Sequence, residues 1–144
     1  MGVTLSAAGS LEWLKGLFPE VSLEILLKEA EGVPLGAMGL RFLPFLSGER
    51  NPYLEPKVRG AFVGLALPHG RGHVVRAVLE GVALSLGVVY RVMRPLAEAE
   101  VFLATGGGSA SDLWLSLVGG AVGVPLRRVV GEEGGGMVLE AGAM

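Results

Sequence analysis

The sequence predicts a mixed α/β domain in which helices pack against a sheet, and three features carry that prediction. Residues 101–105 are four apolar residues closing on Thr105 and followed by glycine, as in a buried strand. Residues 73–94 are apolar on nearly all sides over about six helical turns. Such a helix belongs inside a domain, with a sheet on one face and other helices on the rest. Short apolar runs bounded by Gly and Pro alternate with helix-period segments along the chain, with no internal repeat. A chain of 144 residues is expected to form one domain, residues 1–144, large enough to bury a core without staples.

In chain order, residues 1–5 read as the tail of a strand. Ser6 or Ser10 then caps a helix through Leu11, Trp13, Leu14, Leu17 and Phe18, with Trp13 placed in the core. Pro19 breaks it. Ser22 starts a second helix, with Leu23, Ile25, Leu26 and Leu27 set against a solvated face of Glu24, Lys28, Glu29 and Glu31. Residues 32–39 form a connecting loop, and residues 40–46 an edge strand cut short by Pro44. Residues 47–60 have the turn residues of an extended loop, in which Glu49 and Arg50 are expected to brace the backbone as an ion pair rather than to touch a substrate. Small and large apolar residues alternate over 60–67, which predicts a buried strand.

After the turn at 68–72 comes the long helix, where Arg76 and Glu80, four apart, are placed to pair and Gly81 and Gly87 permit close packing. His69 and His73 have metal-ligand spacing but no evident third ligand, so an ordinary helix-start histidine is the expectation and no metal site is assigned. Pro95 ends the helix, and residues 97–100 connect it to the strand at 101–105. A further helix runs through Leu113, Trp114, Leu117, Val118 and Val122, weakened by up to about 1 kcal/mol for an interior glycine such as Gly119 or Gly120. Residues 125–130 are a last strand, with Arg127 and Arg128 read as edge charges rather than a phosphate clamp. Residues 137–144 read as the first turns of a helix.

The stretch Thr105-Gly106-Gly107-Gly108-Ser109-Ala110-Ser111-Asp112 holds strand end, bare turn and helix start in succession. A helix N-terminus offers unpaired N–H groups and about half a positive charge, while glycine lets a ligand reach the main chain. A nucleotide-facing loop and a plain strand-to-helix connector both satisfy that spacing. A dinucleotide-binding fingerprint does not, because Ser111 replaces its third glycine and no room remains for further strands. A phosphate-binding Walker loop would need Lys and Ser/Thr after the glycines, and a serine-hydrolase elbow a closing glycine; neither is present.

Composition narrows the chemistry. There is no cysteine, which excludes disulfides and thiol catalysis. A net charge of −2 gives no reason to expect nucleic acid or an anionic membrane as partner. No uncharged apolar run approaches the length of a membrane span, and the N-terminus lacks a basic leader with an apolar core, so the cytoplasm is the expected location. Asp112 is the only aspartate among fourteen acidic residues. Phosphoryl transfer uses carboxylates to hold Mg²⁺ and to take a proton from the attacking hydroxyl, so a phosphotransferase containing this chain is expected to keep most of them elsewhere.

Gly60-Ala61-Phe62-Val63-Gly64-Leu65, followed after seven residues by His73-Val74-Val75-Arg76-Ala77-Val78-Leu79-Glu80, resembles the second signature of the FGGY carbohydrate kinases at every constrained position. Leu43-Pro44-Phe45-Leu46-Ser47-Gly48-Glu49-Arg50-Asn51-Pro52 resembles the preceding loop in that family's xylulose kinase branch. Ala104-Thr105-Gly106-Gly107-Gly108 resembles its adenosine-binding turn, and the similarity spans nearly the whole chain. Ser116 stands where the family usually has Gln, and Gly120 where it commonly has Asp.

The resemblance implies an actin-like ATPase, ribonuclease H-like fold, of which this chain is the C-terminal, nucleotide-side domain, truncated at both ends. It implies a kinase that transfers the γ-phosphate of ATP, with Mg²⁺, to a ketopentose, D-xylulose. Gly106, Gly107, Gly108 and Ser111 would line the adenosine site, and the metal-associated and general-base aspartates would lie upstream. The chain alone is therefore expected to lack catalytic residues, with the sugar held through the N-terminal half. The alternative is a non-catalytic module that associates with a separate N-terminal half or with itself as a homodimer.

Overall fold

The computed structural model describes residues 4–7, 9–46, 56–129 and 137–142, which carry six strands and four α-helices. In chain order these are β1 (Thr4–Ser6), α1 (Ser10–Leu17), α2 (Leu23–Glu31), β2 (Arg41–Leu43), β3 (Ala61–Val63), α3 (Arg71–Met93), β4 (Val101–Thr105), α4 (Asp112–Val122), β5 (Leu126–Arg128) and β6 (Val138–Gly142). The main sheet has the order β1-β6-β4-β5, with β4 parallel to β5 and the other pairs antiparallel. A separate two-stranded antiparallel sheet joins β2 to β3. The architecture is the mixed sheet with packed helices that the sequence predicts.

Several elements depart from the sequence expectation. The first cap is neither Ser6 nor Ser10: α1 begins after Gly9, whose φ of 87° is open to glycine, and Ser10 lies inside the helix. Trp13 is half-buried, stacked on Phe42 with ring centroids 5.7 Å apart. Ser22 caps α2 as expected, its hydroxyl accepting from the Ile25 N–H. The charged side of α2 is only partly solvated, because Glu29 receives a bidentate pair from Arg71 at 2.6 and 2.7 Å. The expected buried strand over 60–67 shrinks to β3, which has a single neighbour and leaves Val63, Leu65 and Leu67 exposed. Alternation survives in β3, but among the described residues no second layer covers its outer face. The loop at 47–55, with Glu49 and Arg50, lies outside the described residues.

The largest correction concerns residues 137–144, read from sequence as a starting helix. Residues 138–142 form β6, seated between β1 and β4. Met137 and Leu139 are fully buried while Glu140 is exposed, an alternation of period two that glycine-rich surroundings concealed. Pairing with β4 over residues 138–142 and with β1 over residues 138–140 supplies backbone partners in place of helical ones.

The long helix starts two residues earlier than expected, at Arg71, with Gly70 as cap and His73 Nδ1 accepting from the Gly70 N–H at 3.0 Å. It packs chiefly on α4 and α2, and also on β2. By length and composition α3 could also span a bilayer, but half of its most apolar window is buried in this domain. Its polar centre is the expected pair: Arg76 Nε donates to Glu80 Oε2 at 2.6 Å, with side chains only 8% and 12% exposed. Both Glu80 oxygens also accept from the Gly36 N–H, and Arg76 donates to the Ala30 carbonyl. At the far end of α3 the Tyr90 hydroxyl accepts from the Ala99 N–H and donates to the Ala99 carbonyl, closing the turn into β4. The Tyr90 ring meets Phe102 edge-on at 5.1 Å.

Two helix glycines make opposite predictions. A Cβ on Gly81 would lie 2.4 Å from the Phe42 carbonyl oxygen, whereas one on Gly120 would meet nothing within 4 Å. Gly120→Ala should therefore raise the urea midpoint, by up to about 1 kcal/mol of helix propensity, and Gly81→Ala should lower it. For the Glu29–Arg71 pair, the hydrogen bond from Arg71 holds the Glu29 carboxyl below its ordinary range. A lowered folded pKa stabilises above the unfolded value, about 4.3, and that contribution is lost as pH falls through the folded value. Glu29→Gln should flatten the acid side of the stability profile measured by urea unfolding.

Candidate functional site

The glycine turn lies at the C-terminal end of β4, a strand with a neighbour on each side. Gly106 adopts φ 93° and ψ 166°, a conformation essentially confined to glycine, and residues 107–110 follow as one 3-10 turn. Ser111 then caps α4, its hydroxyl accepting from the Trp114 N–H at 3.1 Å. Of the serines placed there, Ser111 is the cap. Ser109 turns inward instead: its hydroxyl and its N–H both donate to the Gly106 carbonyl, at 2.6 and 3.0 Å.

All four residues assigned to an adenosine site thus share one turn, with unequal exposure. Gly106 and Gly107 are partly accessible, Gly108 is buried, and Ser111 is 9% exposed. No side chain can cover Gly106 or Gly107 from within the turn except by leaning over it, and Ser109 is engaged with the carbonyl. The accessible main chain therefore belongs to the first two glycines.

Sequence reading missed the residue that holds this turn. The parallel register places Arg128 beside Ala104, and the Val129 N–H donates to the Ala104 carbonyl. From there Arg128 Nε donates to the Ser109 carbonyl at 2.7 Å and Nη2 pairs with the Asp112 carboxylate. Arg128 is more than an edge charge. The signal available in the sequence was topological: a strand following β-turn-α returns parallel, so its last residues must lie beside that turn.

The two histidines serve the loop before α3. His69 Nδ1 accepts from the Ala66 N–H at 2.9 Å and His73 Nδ1 from the Gly70 N–H, so each ring carries its proton on Nε2. Those protons face the Met38 carbonyl and the Met38 sulfur. With each Nδ1 lone pair taken by a backbone N–H and each Nε2 facing Met38, neither ring has a free nitrogen lone pair to offer a metal. Among the described residues no three His, Asp or Glu side chains gather as a metal site, and Asp112 is already paired.

A groove of about 800 Å³ runs between α3 and α4. Leu84, Leu113 and Leu117 line it, the largely buried Arg76–Glu80 pair forms part of its wall, and Ser116 and Gly120 border it. None of the glycine-turn residues does.

With this geometry in place, comparison with known proteins gives a consistent result. The family model for the C-terminal domain of the FGGY family of carbohydrate kinases matches residues 1–139. The xylulose kinase of Bacillus subtilis (strain 168) is 36% identical over 139 residues, covering 95% of this chain and 28% of the relative. That of Staphylococcus epidermidis (strain RP62A) is 40% identical over the same length and coverage. The crystal structure of a xylulose kinase from Brucella ovis superposes with a TM-score of 0.77 at 34% identity, covering 88% of this chain and 26% of that one. The chain thus spans little more than a quarter of the length of these relatives.

The cap at the turn has a measurable consequence. Ser111→Ala removes the bond to the Trp114 N–H from a helix already weakened by Gly119 and Gly120. It should cost about 1 kcal/mol in urea unfolding, and Ser111→Asp should restore most of it.

Proposed function

The chain belongs to the FGGY family of carbohydrate kinases, and on that footing we propose that it is the nucleotide-side portion of a cytoplasmic, ATP-dependent kinase acting on a ketopentose, D-xylulose. What carries the proposal is the family match over residues 1–139, together with relatives named xylulose kinases at 36% and 40% identity. In this reading Gly106, Gly107, Gly108 and Ser111 line the adenosine site. Gly106 and Gly107 offer accessible main chain, Gly108 lets the turn close tightly, and Ser111 fixes where α4 begins. The N-terminal end of α4 adds its partial positive charge to the same side of the sheet.

The described residues do not fit Mg²⁺, since they gather no carboxylate cluster and Asp112 is committed to Arg128. The metal and the base that would take the sugar hydroxyl proton are assigned to the polypeptide by which the relatives exceed this chain. These 144 residues then contribute nucleotide binding and orientation, without proton transfer. The sugar would be met through that remaining length.

A second reading is favoured by a separate observation. On α3 the exposed Leu84, Val88 and Val92 follow one another at intervals of four, and Leu43 and Val63 face outward on the β2–β3 sheet. Apolar surface of that kind suits association with another copy of the chain, as a non-catalytic module.

Titration calorimetry on the 144-residue chain separates the readings. The kinase reading expects saturable ADP binding without ATP-dependent phosphorylation of D-xylulose; turnover by these residues alone would refute the division of labour, and no ADP binding would refute the adenosine site. The association reading expects sedimentation to show a concentration-dependent dimer regardless of nucleotide. Mixing with NADH should leave nicotinamide fluorescence unchanged under either.

A further inference from the structure

We infer that Arg128 is the positioning residue for the nucleotide turn, an assignment that rests on the reading of Gly106–Ser111 as the adenosine site. Three observations converge on it. First, the parallel pairing of β5 with β4 sets Arg128 opposite Ala104, at the end of the strand that feeds the turn. Second, its guanidinium forks to two acceptors that belong to different pieces of the site: Nε to the Ser109 carbonyl inside the 3-10 turn, Nη2 to Asp112 at the first residue of α4. Third, Ser109 is also the residue that ties the turn back to the Gly106 carbonyl through its hydroxyl and its N–H.

The turn is thereby held from both sides. A run of three glycines has more backbone freedom to lose than any other tripeptide, so an ordered bend there needs an external hold. Ser109 supplies one within the loop, and Arg128 supplies the other from a neighbouring strand. A planar fork can define the distance between two acceptors, which a single ammonium cannot. With Nε given to the Ser109 carbonyl and Nη2 to Asp112, the fork is engaged with the turn, so Arg128 acts through its geometry instead of drawing on the phosphates.

Adenosine and ADP, titrated separately into the 144-residue chain, test this. Arg128→Ala should weaken both by the same factor, about tenfold, as for loss of a charge-assisted hydrogen bond. Arg127→Ala, on the same edge strand, should alter neither, and Arg128→Lys should recover little. Without nucleotide, amide exchange at residues 107–111 should quicken in Arg128→Ala and stay unchanged in Arg127→Ala. Loss confined to ADP would overturn the inference in favour of direct phosphate contact. Full recovery by Arg128→Lys would overturn it in favour of charge alone, and unchanged exchange would show that the turn stands without Arg128. If the unsubstituted chain binds neither probe, the adenosine reading itself fails, while the exchange measurement still decides whether Arg128 holds the turn.

Discussion

The buried Arg76–Glu80 pair fixes how the rest of the domain is assembled. Two charges taken out of water are tolerable only if the remaining donors and acceptors are met, and here they are met by other segments. Glu80 receives the Gly36 N–H, Arg76 reaches the Ala30 carbonyl, and α2, the loop after it and α3 are thereby set at one spacing. The apolar contacts of α3 alone would tolerate sliding; this cluster does not. Removing one partner would strand the other charge, typically at about 3–5 kcal/mol.

From that fixed helix the site follows by short steps. Tyr90 clamps the chain as it leaves α3, which sets the depth at which β4 enters the sheet. Phe102, packed edge-on against Tyr90, carries the same constraint into the strand. Close approach of α3 and α4 depends on Gly87, where a Cβ would lie 2.7 Å from the Ala121 carbonyl oxygen. The glycine turn thus sits between two elements whose positions are decided elsewhere, and its own residues need only supply a bend.

Much of this was legible in the sequence, for definite reasons. Ser22, Pro19 and Pro95 act locally, so their effects on helix ends can be read one residue at a time. The glycine turn and the Arg76–Glu80 spacing were equally plain, and the signature around Phe62 and Glu80 led to the family. What escaped depended on partners distant along the chain. Residues 138–142 become a strand because β1 and β4 offer edges on both sides. Val63 and Leu65 look buried by alternation, yet no second layer among the described residues covers them. Arg128 is one of two adjacent arginines that differ only in which way the pleat turns them, and a parallel neighbour decides which one reaches the turn.

The placement of β6 bears on how the molecule comes to be made. Among the described residues Thr4–Ser6 pairs in the sheet only with residues 138–140, so the first and last described strands meet across most of the chain. While the polypeptide is emerging from the ribosome, β4 therefore waits with one edge uncovered after its other neighbour, β5, has already appeared. An open edge of that kind invites pairing with foreign strands. Until residues 138–142 have been made, that edge of β4 is open to capture by chaperones or by other copies of the chain.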